Sequence, residues 1–346
     1  DATPAWPLLR FSLYRHYLLF DHITKTCTPL AFDGEPSLAA ALLETAGAGA
    51  RGRVQASFSA ATLREATPRA AYVERIRAVQ GHIAAGDIYQ ANLAQRWTFS
   101  TQVPPHVIYR RLCERSPAHY AAYLQFRDHA GISRHVLSAS PELFLNMREG
   151  QVLTRPIKGT RPRDRADRVH DAALADELLA SEKDRAELAM IVDLLRNDLG
   201  RVAAYRSVQV RDPRALEAHP TVWHTAATIE AALRPEAALA DVLRALLPGG
   251  SITGVPKIRA CQIINGLEDF PRALYCGNVG VLGSGGRLAL LNIAIRTLLL
   301  TGSTVHAYAG GGIVADSSPE AEYEETLHKA AALVDALGAG AAFNRL

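Results

Sequence analysis

One apolar stretch and the lysine that follows it constrain the fold of this chain more than any other feature. Residues 136–145, Val-Leu-Ser-Ala-Ser-Pro-Glu-Leu-Phe-Leu, are typical of a β-strand that carries a single acid, Glu142. Lys158 follows 16 residues later (158 − 142 = 16), a separation that suits a hairpin turning at Arg148-Glu149-Gly150. We therefore predict an antiparallel sheet in which Glu142 faces Lys158, either as a structural ion pair or as an acid beside a nucleophile.

The lysine lies in the stretch Thr-Arg-Pro-Ile-Lys-Gly-Thr, residues 154–160. In a strand, alternation would place Thr154, Lys158 and Thr160 on one face, and Gly159 would let a ligand approach the backbone closely. A surface strand with a solvated lysine is the plainer alternative, since lysines are rarely buried without a partner. The acids and glycines further along the chain favour the first interpretation, in which Lys158 lies in a ligand-binding site.

Two long helical patterns each carry a pair of acids three residues apart. The first pattern covers residues 172–199, and the second begins at Pro319. Residues at this spacing share a helix face, so each helix would present two carboxylates together. The pairs are Asp184 with Glu187 and Glu322 with Glu325, and Lys329 follows Glu325 by four residues. A solvated acidic face explains either helix alone, whereas both together suit Mg²⁺, which takes few carboxylates and keeps waters for substrate oxygens.

Two glycine-rich segments and one arginine predict contacts with an anion. Residues 248–257 run into a helical pattern near Pro256, where backbone N–H groups and the positive helix end would receive a negative group. Residues 309–317, Ala-Gly-Gly-Gly-Ile-Val-Ala-Asp-Ser, form a second predicted loop. Arg296 lies inside a predicted apolar strand at residues 290–298, where its guanidinium must pair with a ligand carboxylate or with an internal acid.

A further helix and strand precede these features. Thr67-Pro68 is a helix-start signal, and Gly86 ends the apolar repeat that follows it. The next strand, residues 88–97, would place the amides of Gln90 and Asn92 on one face. Two neutral amides there either line a wet cavity or meet solvent.

Composition excludes several classes of protein. The chain has 346 residues, 48% of them hydrophobic, which allows a sizeable core. Its net charge of +3 comes from arginines interleaved with acids, as at residues 161–168, so nucleic-acid binding has no support. The four cysteines have no Cys-x-x-Cys spacing, and the longest apolar run, residues 288–300, is interrupted by Asn292 and Arg296. These features predict a cytoplasmic protein with reduced thiols that does not enter a membrane.

Seven blocks of the sequence, in order, resemble the chorismate-utilising enzymes over residues 69–337. The blocks are Gly86-Asp87-Ile88-Tyr89-Gln90-Ala91-Asn92-Leu93, Ser140-Pro141-Glu142, Pro156-Ile157-Lys158-Gly159-Thr160, Asp184-Arg185-Ala186-Glu187, Ile191-Val192-Asp193-Leu194-Leu195-Arg196-Asn197-Asp198, residues 248–257 and residues 310–317. The resemblance implies an α/β fold of two large antiparallel β-sheets packed together with outer helices, with the site opening between the sheets.

The resemblance also implies a domain organisation. Residues 1–68 would be a shortened N-terminal segment that completes the sheet, with strands near residues 11–20 and 54–58. Residues 69–340 would form the chorismate-binding catalytic domain. One structural domain overall is expected.

The reaction is implied by two positions. Anthranilate synthases of the family have Ala at the position of Lys158, and isochorismate and salicylate synthases have a water-activating Lys at the position of Gln90. This chain resembles instead the branch with Pro-Ile-Lys-Gly-Thr, which joins ammonia to chorismate to form 4-amino-4-deoxychorismate for para-aminobenzoate and folate biosynthesis. Anthranilate formation and a non-catalytic, chorismate-binding regulatory subunit are the alternatives.

Roles for the two central residues follow from the resemblance. Lys158 would be the nucleophile that adds to the chorismate ring, and Glu142 would be the general acid that protonates the departing hydroxyl. No amidotransferase motif is found in the chain, so a separate glutamine amidotransferase subunit would supply the ammonia.

The resemblance implies Mg²⁺ as the cofactor. The ion would lie on Glu187 and Glu325 and hold the ring carboxylate of chorismate, while Asp184 and Glu322 would support it through water. The remaining substrate-binding residues would be Gln90, Gly159, Thr160, His224, Gly254, Arg296, Gly311, Gly312 and Lys329.

Overall fold

The computed structural model describes residues 6–32, 36–49 and 58–345, and the chain divides into two units, residues 1–58 and 59–346. In the first unit, strands β1 (His16–Asp21) and β2 (Thr26–Ala31) pair antiparallel with each other, and helix α1 (Pro36–Gly49) follows. The carboxylate of Asp21 closes the turn between the strands by accepting hydrogen bonds from two backbone N–H groups at 2.7 and 3.1 Å.

The second unit contains both large sheets. Its strands are β3 (Thr62–Ala66), β4 (Gln90–Ser100), β5 (Tyr120–Arg127), β6 (Ser133–Ser140), β7 (Leu143–Arg148), β8 (Gln151–Arg155), β9 (Ile157–Pro162), β10 (Gln209–Ala218), β11 (Val222–Ala232), β12 (Gly254–Val255), β13 (Gly280–Leu282), β14 (Leu288–Asn292), β15 (Thr297–Thr301) and β16 (Thr304–Ile313). Its helices are α2 (Arg69–Ala84), α3 (Pro105–Arg115), α4 (Arg168–Ala180), α5 (Glu182–Gly200), α6 (Leu239–Leu246), α7 (Lys257–Leu267), α8 (Pro319–Ala336) and α9 (Gly340–Phe343). Short 3-10 turns lie at Gly250–Ile252 and Ser284–Gly286.

The strands of this unit form two seven-stranded antiparallel sheets. Sheet I has the order β10-β11-β8-β7-β14-β13, with β9 also paired to β11. Sheet II has the order β12-β4-β16-β15-β6-β5, with β3 also paired to β4. The expected α/β fold with two large antiparallel sheets is confirmed.

The N-terminal segment contributes one strand to these sheets among the described residues. Within residues 1–68, β3 pairs with β4 of sheet II, whereas β1 and β2 pair with each other. A short turn joins β1 to β2, so each strand satisfies the other's backbone groups locally. Residues 54–57 of the strand predicted at 54–58 lie outside the described residues.

The hairpin predicted between Glu142 and Lys158 is confirmed. Strands β7 and β8 pair with Arg148 opposite Gln151. The two residues between them, Glu149 and Gly150, have φ values of 48° and 78°. Positive φ at both central positions defines a type I′ turn, whose twist matches that of the paired strands. Because Glu142 precedes β7 and Lys158 follows β8, the turn brings both to the same end of the hairpin.

The chain crosses between the sheets at two places that the sequence predicted to be unbroken strands. Residues 136–145 form β6 in sheet II and β7 in sheet I, with Pro141-Glu142 between them. Residues 290–298 likewise divide into β14 of sheet I and β15 of sheet II. The N–H of Ile293 donates to the carbonyl of Glu142 at 3.1 Å, so the crossovers are bonded to each other. Glu142 and Arg296 therefore lie at crossovers instead of inside strands, where backbone can turn toward a cavity.

The helical pattern at residues 172–199 is also two elements, α4 and α5. Ser181 separates them with extended backbone angles, and its hydroxyl accepts a hydrogen bond from the N–H of Asp184 at 3.2 Å. Serine is a favoured N-cap because its side chain satisfies a free N–H of the first turn, so it ends one helix and begins the next. Helix α8 agrees with its prediction, with Ser318 as the N-cap and Pro319 in the first turn.

The helices pack on the sheets and fix where the acid-bearing faces lie. Helices α2, α7 and α8 share a buried apolar cluster with β4 and the end of β16, which contains Tyr72, Ile76, Leu93, Ile263 and Tyr323. Helices α4 and α5 contact β9 and β11 of sheet I. Among the described ranges, no helix is both long and apolar enough to cross a membrane.

The glycines at residues 310–312 lie in a strand and not in the predicted loop. They belong to β16 and pair with β4, with Gly311 opposite Leu93 and Gly312 opposite Asn92. The backbone hydrogen bonds of the long pairing between β16 and β4 compensate for the low strand propensity of these glycines.

Candidate functional site

Glu142 and Lys158 meet at Ser251, in the segment between α6 and β12. The Ser251 hydroxyl donates a hydrogen bond to Oε1 of Glu142 at 2.7 Å. The Ser251 carbonyl accepts a hydrogen bond from Nζ of Lys158 at 3.4 Å. Glu142 is 5% exposed and the side chain of Lys158 is 11% exposed, so this meeting point is inside the protein.

Burial changes the acidity of Glu142. Removal of its carboxylate from water raises the pKa to about 7, although the Ser251 hydrogen bond and the nearby Lys158 and Lys329 act in the opposite direction. A carboxyl group with this pKa still holds its proton on a large fraction of molecules near neutral pH. Glu142 can therefore serve as a general acid.

A β-bulge at Gly159 sets the direction of Lys158. In the pairing of β9 with β11, Lys158 lies opposite Thr225. Thr160 lies opposite the preceding residue, His224, so Gly159 has no partner. Gly159 has a φ of 77°, and a Cβ there would lie 2.7 Å from a side-chain atom of α4. Glycine is required here, and the unbroken alternation predicted for this stretch is wrong beyond Lys158.

His224 presents a neutral ring to the same region. Its Nδ1 lies 2.9 Å from Oγ1 of Thr160, and its Nε2 is buried with no hydrogen-bond partner in the described part of the chain. Burial, followed by the charge of Arg296 and by His219, lowers its pKa to about 3. A buried ring nitrogen without a protein partner is suited to a hydrogen bond with a bound ligand.

Arg296 makes no ion pair with any residue that the structure describes. Burial lowers the pKa of its guanidinium, and no acid offsets this effect. The group also helps lower the pKa of His219 and of His224, so its charge is felt at the centre of the site. Of the two predicted partners, an internal acid is not found within the described ranges, and the guanidinium is available to a ligand carboxylate.

An ammonium group lies between the two acid-bearing helices. Nζ of Lys183, on α5, is 2.9 Å from Oε1 of Glu322 and 4.0 Å from Oε1 of Glu187. Nζ of Lys158 is 3.8 Å from the other oxygen of Glu187. Burial raises the pKa of Glu187, which shows that these cations compensate its charge only in part. The predicted approach of the two acidic faces is thus present in the structure, with positive charge between them.

The other two acids have different partners. Oε1 of Glu325 lies 2.6 Å from Nζ of Lys329. Burial would raise the pKa of Glu325, but Lys329 and two more distant lysines outweigh it, and the pKa is lowered. Oδ2 of Asp184 lies 3.6 Å from Nη1 of Arg161. Each acid pair therefore has one member close to Lys183 and one member paired elsewhere.

The donor set between the helices fits a magnesium ion. The described residues contain no group of three or more His, Cys, Asp or Glu side chains arranged to hold a metal. Mg²⁺, however, needs only one or two carboxylates, since waters and substrate oxygens complete its octahedron. Glu187 and Glu322 both lie within 4.0 Å of the ammonium of Lys183, so carboxylates of α5 and α8 already approach one cation.

Two glycines of β16 make room for side chains of the site. A Cβ at Gly312 would lie 2.2 Å from Nε2 of Gln90 and 3.4 Å from Nζ of Lys158. A Cβ at Gly311 would lie 2.9 Å from Oε2 of Glu322. Gln90 is 1% exposed, and its Oε1 has no partner among the described residues. The strand backbone can thus approach these side chains, and contact of the two glycines with a ligand stays a prediction.

The segment at residues 248–257 reaches the site through Ser251. A Cβ at Gly254 would lie 2.1 Å from the carbonyl oxygen of Gln90, so β12 can pair with β4 because residue 254 is glycine. Helix α7 begins at Lys257, whose ammonium lies 2.7 Å from Oδ2 of Asp198.

The sequence patterns did not single out Ser251 or Lys183. Lys183 lies four residues before Glu187 on one helix face, a spacing that could have indicated the contact. Ser251 contacts an acid 109 residues away, and no local pattern encodes such a contact.

Comparisons with known proteins identify related chains. The family of chorismate binding enzymes matches residues 1–335. The chain is 41% identical over 330 residues to aminodeoxychorismate synthase component 1 of Klebsiella aerogenes, covering 95% of this chain and 70% of that relative. It is also 41% identical over 290 residues to anthranilate synthase component 1 of Thermus thermophilus, covering 84% of this chain and 59% of that relative. The solved structure of anthranilate synthase component I from Streptococcus pneumoniae is similar with a TM-score of 0.79 and 31% identity, covering 93% of this chain and 72% of that chain.

Proposed function

Since this chain belongs to the family of chorismate binding enzymes, we propose that it joins ammonia to chorismate and releases 4-amino-4-deoxychorismate and water. The observation that carries the proposal is the contact of Lys158 and the buried Glu142 with one residue, Ser251. This contact places a primary amine beside an acid whose pKa of about 7 leaves a large fraction of molecules protonated near neutral pH. Nucleophilic displacement of a hydroxyl group needs both.

The proposed chemistry uses these two side chains in turn. Once its ammonium group has lost a proton to solvent, the amine of Lys158 attacks C2 of the ring, the ring electrons shift, and the C4–O bond breaks. Glu142 gives its proton to the departing oxygen, which leaves as water. Ammonia then attacks C4, the electrons shift back, and the bond from C2 to Lys158 breaks. One proton of the added nitrogen passes to Glu142 and restores the acid.

Three further residues would bind the substrate. The unpaired guanidinium of Arg296 suits the enolpyruvyl carboxylate, because a fork of N–H donors can hold both its oxygens. Lys329 is proposed to lie near the ring carboxylate. His224, with a buried and free Nε2, would donate or accept one hydrogen bond at the ring.

We propose Mg²⁺ as the cofactor, held by Glu187 and Glu325, with Asp184 and Glu322 supporting it through water. When bound, the ion supplies positive charge that offsets the ring carboxylate. The ammonium of Lys183, which lies 4.0 Å from Glu187 and 2.9 Å from Glu322, would be displaced when the ion and its waters bind.

A partner subunit is proposed as the source of ammonia. The Klebsiella relative is named as component 1 of its enzyme, which supports a second component. We propose that a glutamine amidotransferase subunit fills this role and that the product serves para-aminobenzoate and folate biosynthesis.

Anthranilate formation is the second candidate, because relatives named for either reaction are 41% identical to this chain, over 330 and 290 residues respectively. Lys158 favours the first reaction. The family resemblance described above implies Ala at this position in anthranilate synthases.

Product identification separates the candidates. The chain is incubated with chorismate, Mg²⁺ and ammonium, and the products are separated and identified by mass, with Lys158→Ala as the control. We expect a product that retains the enolpyruvyl group and contains one nitrogen. Fluorescent anthranilate with an equal amount of pyruvate would contradict the proposal. Thermal stabilisation by chorismate without any turnover would instead support a regulatory subunit.

A further inference from the structure

Ser251 contacts both groups of the proposed chemistry through different atoms. Its hydroxyl bonds Glu142 at 2.7 Å, and its carbonyl accepts from Lys158 at 3.4 Å. Ser251 itself is 8% exposed. A buried residue with these two contacts can fix the separation of the acid and the amine.

The backbone that carries Ser251 is held in place by its surroundings. Nη1 of Arg272 donates to the carbonyl of Ile252 at 3.0 Å. A Cβ at Gly250 would lie 2.5 Å from Cδ2 of Leu194, so the 3-10 turn packs directly on α5. These contacts leave the Ser251 hydroxyl little freedom to move away from the acid.

The other polar groups that face Glu142 come from elements apart from this turn. They are the ammonium of Lys158 and the backbone N–H of Ile157 on β9, the ammonium of Lys329 on α8 and the buried thiol of Cys276 after α7. Removal of the Ser251 hydroxyl would leave all four in place. A change at Ser251 therefore isolates the effect of one hydrogen bond.

We propose that Ser251 is a positioning residue whose hydroxyl orients Glu142 toward the departing oxygen and whose carbonyl holds the Lys158 amine at the same point. Since the hydroxyl donates, it also stabilises the carboxylate that remains after the proton has left. The catalytic part of this inference rests on the proposed function, while the hydrogen bond to Glu142 does not.

Kinetics of three variants test the proposal. Ser251→Ala removes the hydroxyl, and Ser251→Thr keeps it. Ser207→Ala is the matched control, since that hydroxyl donates to the carbonyls of Ala204 and Ala232. For Ser251→Ala we expect kcat to fall about 10- to 100-fold with KM changed less than about twofold. The alkaline limb of its pH profile should move to higher pH, because the carboxylate has lost a stabilising donor.

Ser251→Thr and Ser207→Ala should both remain close to the wild type in kcat and in the pH profile. The proposal is overturned if Ser251→Ala keeps the wild-type kcat and pH profile. It is also overturned if Ser251→Thr loses as much activity as Ser251→Ala, or if Ser207→Ala produces the same shift.

A measurement without substrate distinguishes this inference from the proposed function. Infrared spectroscopy can follow the carboxyl band of Glu142, identified by its absence in Glu142→Gln, as the pH is raised. Ser251→Ala should move its titration to higher pH. If it does so while the wild type leaves chorismate unchanged, the proposed function fails and the contact between Ser251 and Glu142 stands. If the wild type aminates chorismate but neither titration nor kcat responds, the inference fails alone.

Discussion

Two glutamates at opposite ends of the site, Glu142 and Glu325, have pKa values shifted in opposite directions. At one end, Glu142 is buried beside a neutral hydroxyl group, and its pKa is raised to about 7. At the other end, Glu325 lies 2.6 Å from the ammonium of Lys329, and its pKa is lowered. Burial therefore favours the protonated form of Glu142, whereas the neighbouring ammonium favours the charged form of Glu325.

Because their pKa values differ in this way, Glu142 and Glu325 are suited to different roles. A neutral carboxyl group in a dry pocket can donate a proton, whereas charged carboxylates among cations can hold a metal or balance a substrate. Lys158 lies between the two ends, in contact with Ser251 on one side and 3.8 Å from Glu187 on the other. In the proposed reaction the amine would meet a ring that is anchored at one end and whose departing hydroxyl group is protonated at the other.

Loss of the proton donor should have the largest effect on activity. Glu142→Gln is expected to lower kcat by about 10²- to 10⁴-fold, the usual contribution of a general acid. Steady-state product formation at saturating chorismate measures the change. Glu149→Gln, in the exposed hairpin turn, is the control and should retain wild-type kcat. A Glu142→Gln variant with more than about half of the wild-type kcat would contradict the role of Glu142 as the proton donor.

The two glutamates should also affect stability with opposite sign. The pKa of Glu142 is about 7 in the folded chain and 4.5 for a free side chain. Between these values the folded state binds the proton more strongly, so the free energy of unfolding falls as the pH rises. Glu142→Gln should therefore be more stable than the wild type at about pH 8, by up to roughly 3 kcal/mol, and equal to it at about pH 4.

Glu325 supplies the opposite case. Its lowered pKa gives stability that is present above the pKa of the unfolded chain and is lost as the pH falls through the folded value. Glu325→Gln should thus be less stable than the wild type at about pH 8. Urea unfolding of both variants at several pH values measures these differences, and shifts of equal sign at alkaline pH would contradict the comparison.

A methyl group added at Gly312, between the two ends of the site, should collide with side chains of the site. At Gly312 a Cβ would lie 2.2 Å from Gln90 and 3.4 Å from Nζ of Lys158. We expect Gly312→Ala to lower kcat/KM at least about tenfold, since a displacement of about 1 Å at reacting groups has effects of this size or larger. Gly81→Ala in α2 is the control, because a Cβ there meets nothing within 4 Å. Equal activity of both variants would show that the close approach of β16 has no role.

The smallest effect is expected for cation binding. In the proposed metal site the ammonium of Lys183, close to Glu187 and Glu322, would compete with the ion. Lys183→Met should therefore tighten Mn²⁺ binding by about 3- to 10-fold, as measured by the electron paramagnetic resonance signal of the free ion. Arg185→Met removes a charge from an exposed position of the same helix and should change the affinity less. Weaker binding by Lys183→Met would show that Lys183 assists the metal.

The sequence was sufficient to predict features that depend on local geometry. The hairpin between Glu142 and Lys158 followed from their separation, and the start of the acid-bearing helix α8 followed from Pro319. The two crossovers could not be predicted from the sequence, because the apolar character of a segment indicates that it is buried but not to which sheet it belongs. Both Glu142 and Arg296 were therefore assigned to strands.

Contacts over long sequence separations were missed for a related reason. The partner of the Ser251 hydroxyl is 109 residues away, and the bulge at Gly159 becomes visible only once β11 is paired with β9. Lys329 was expected near the substrate, and the structure gives it an ion pair with Glu325 and a hydrogen bond to the carbonyl of Gly310. Such partners depend on the assembled sheets.

A covalent adduct on Lys158 is the most direct test of the central claim, that an amine at this position attacks a ring whose hydroxyl group is protonated by Glu142. The wild type is incubated with chorismate and Mg²⁺ without ammonia, quenched with acid, digested and analysed by mass spectrometry, alongside Lys158→Ala. We predict that the wild-type peptide containing Lys158 gains the mass of chorismate less one water, and that the variant does not. Unmodified Lys158 in a sample that aminates chorismate when ammonium is added would contradict the account.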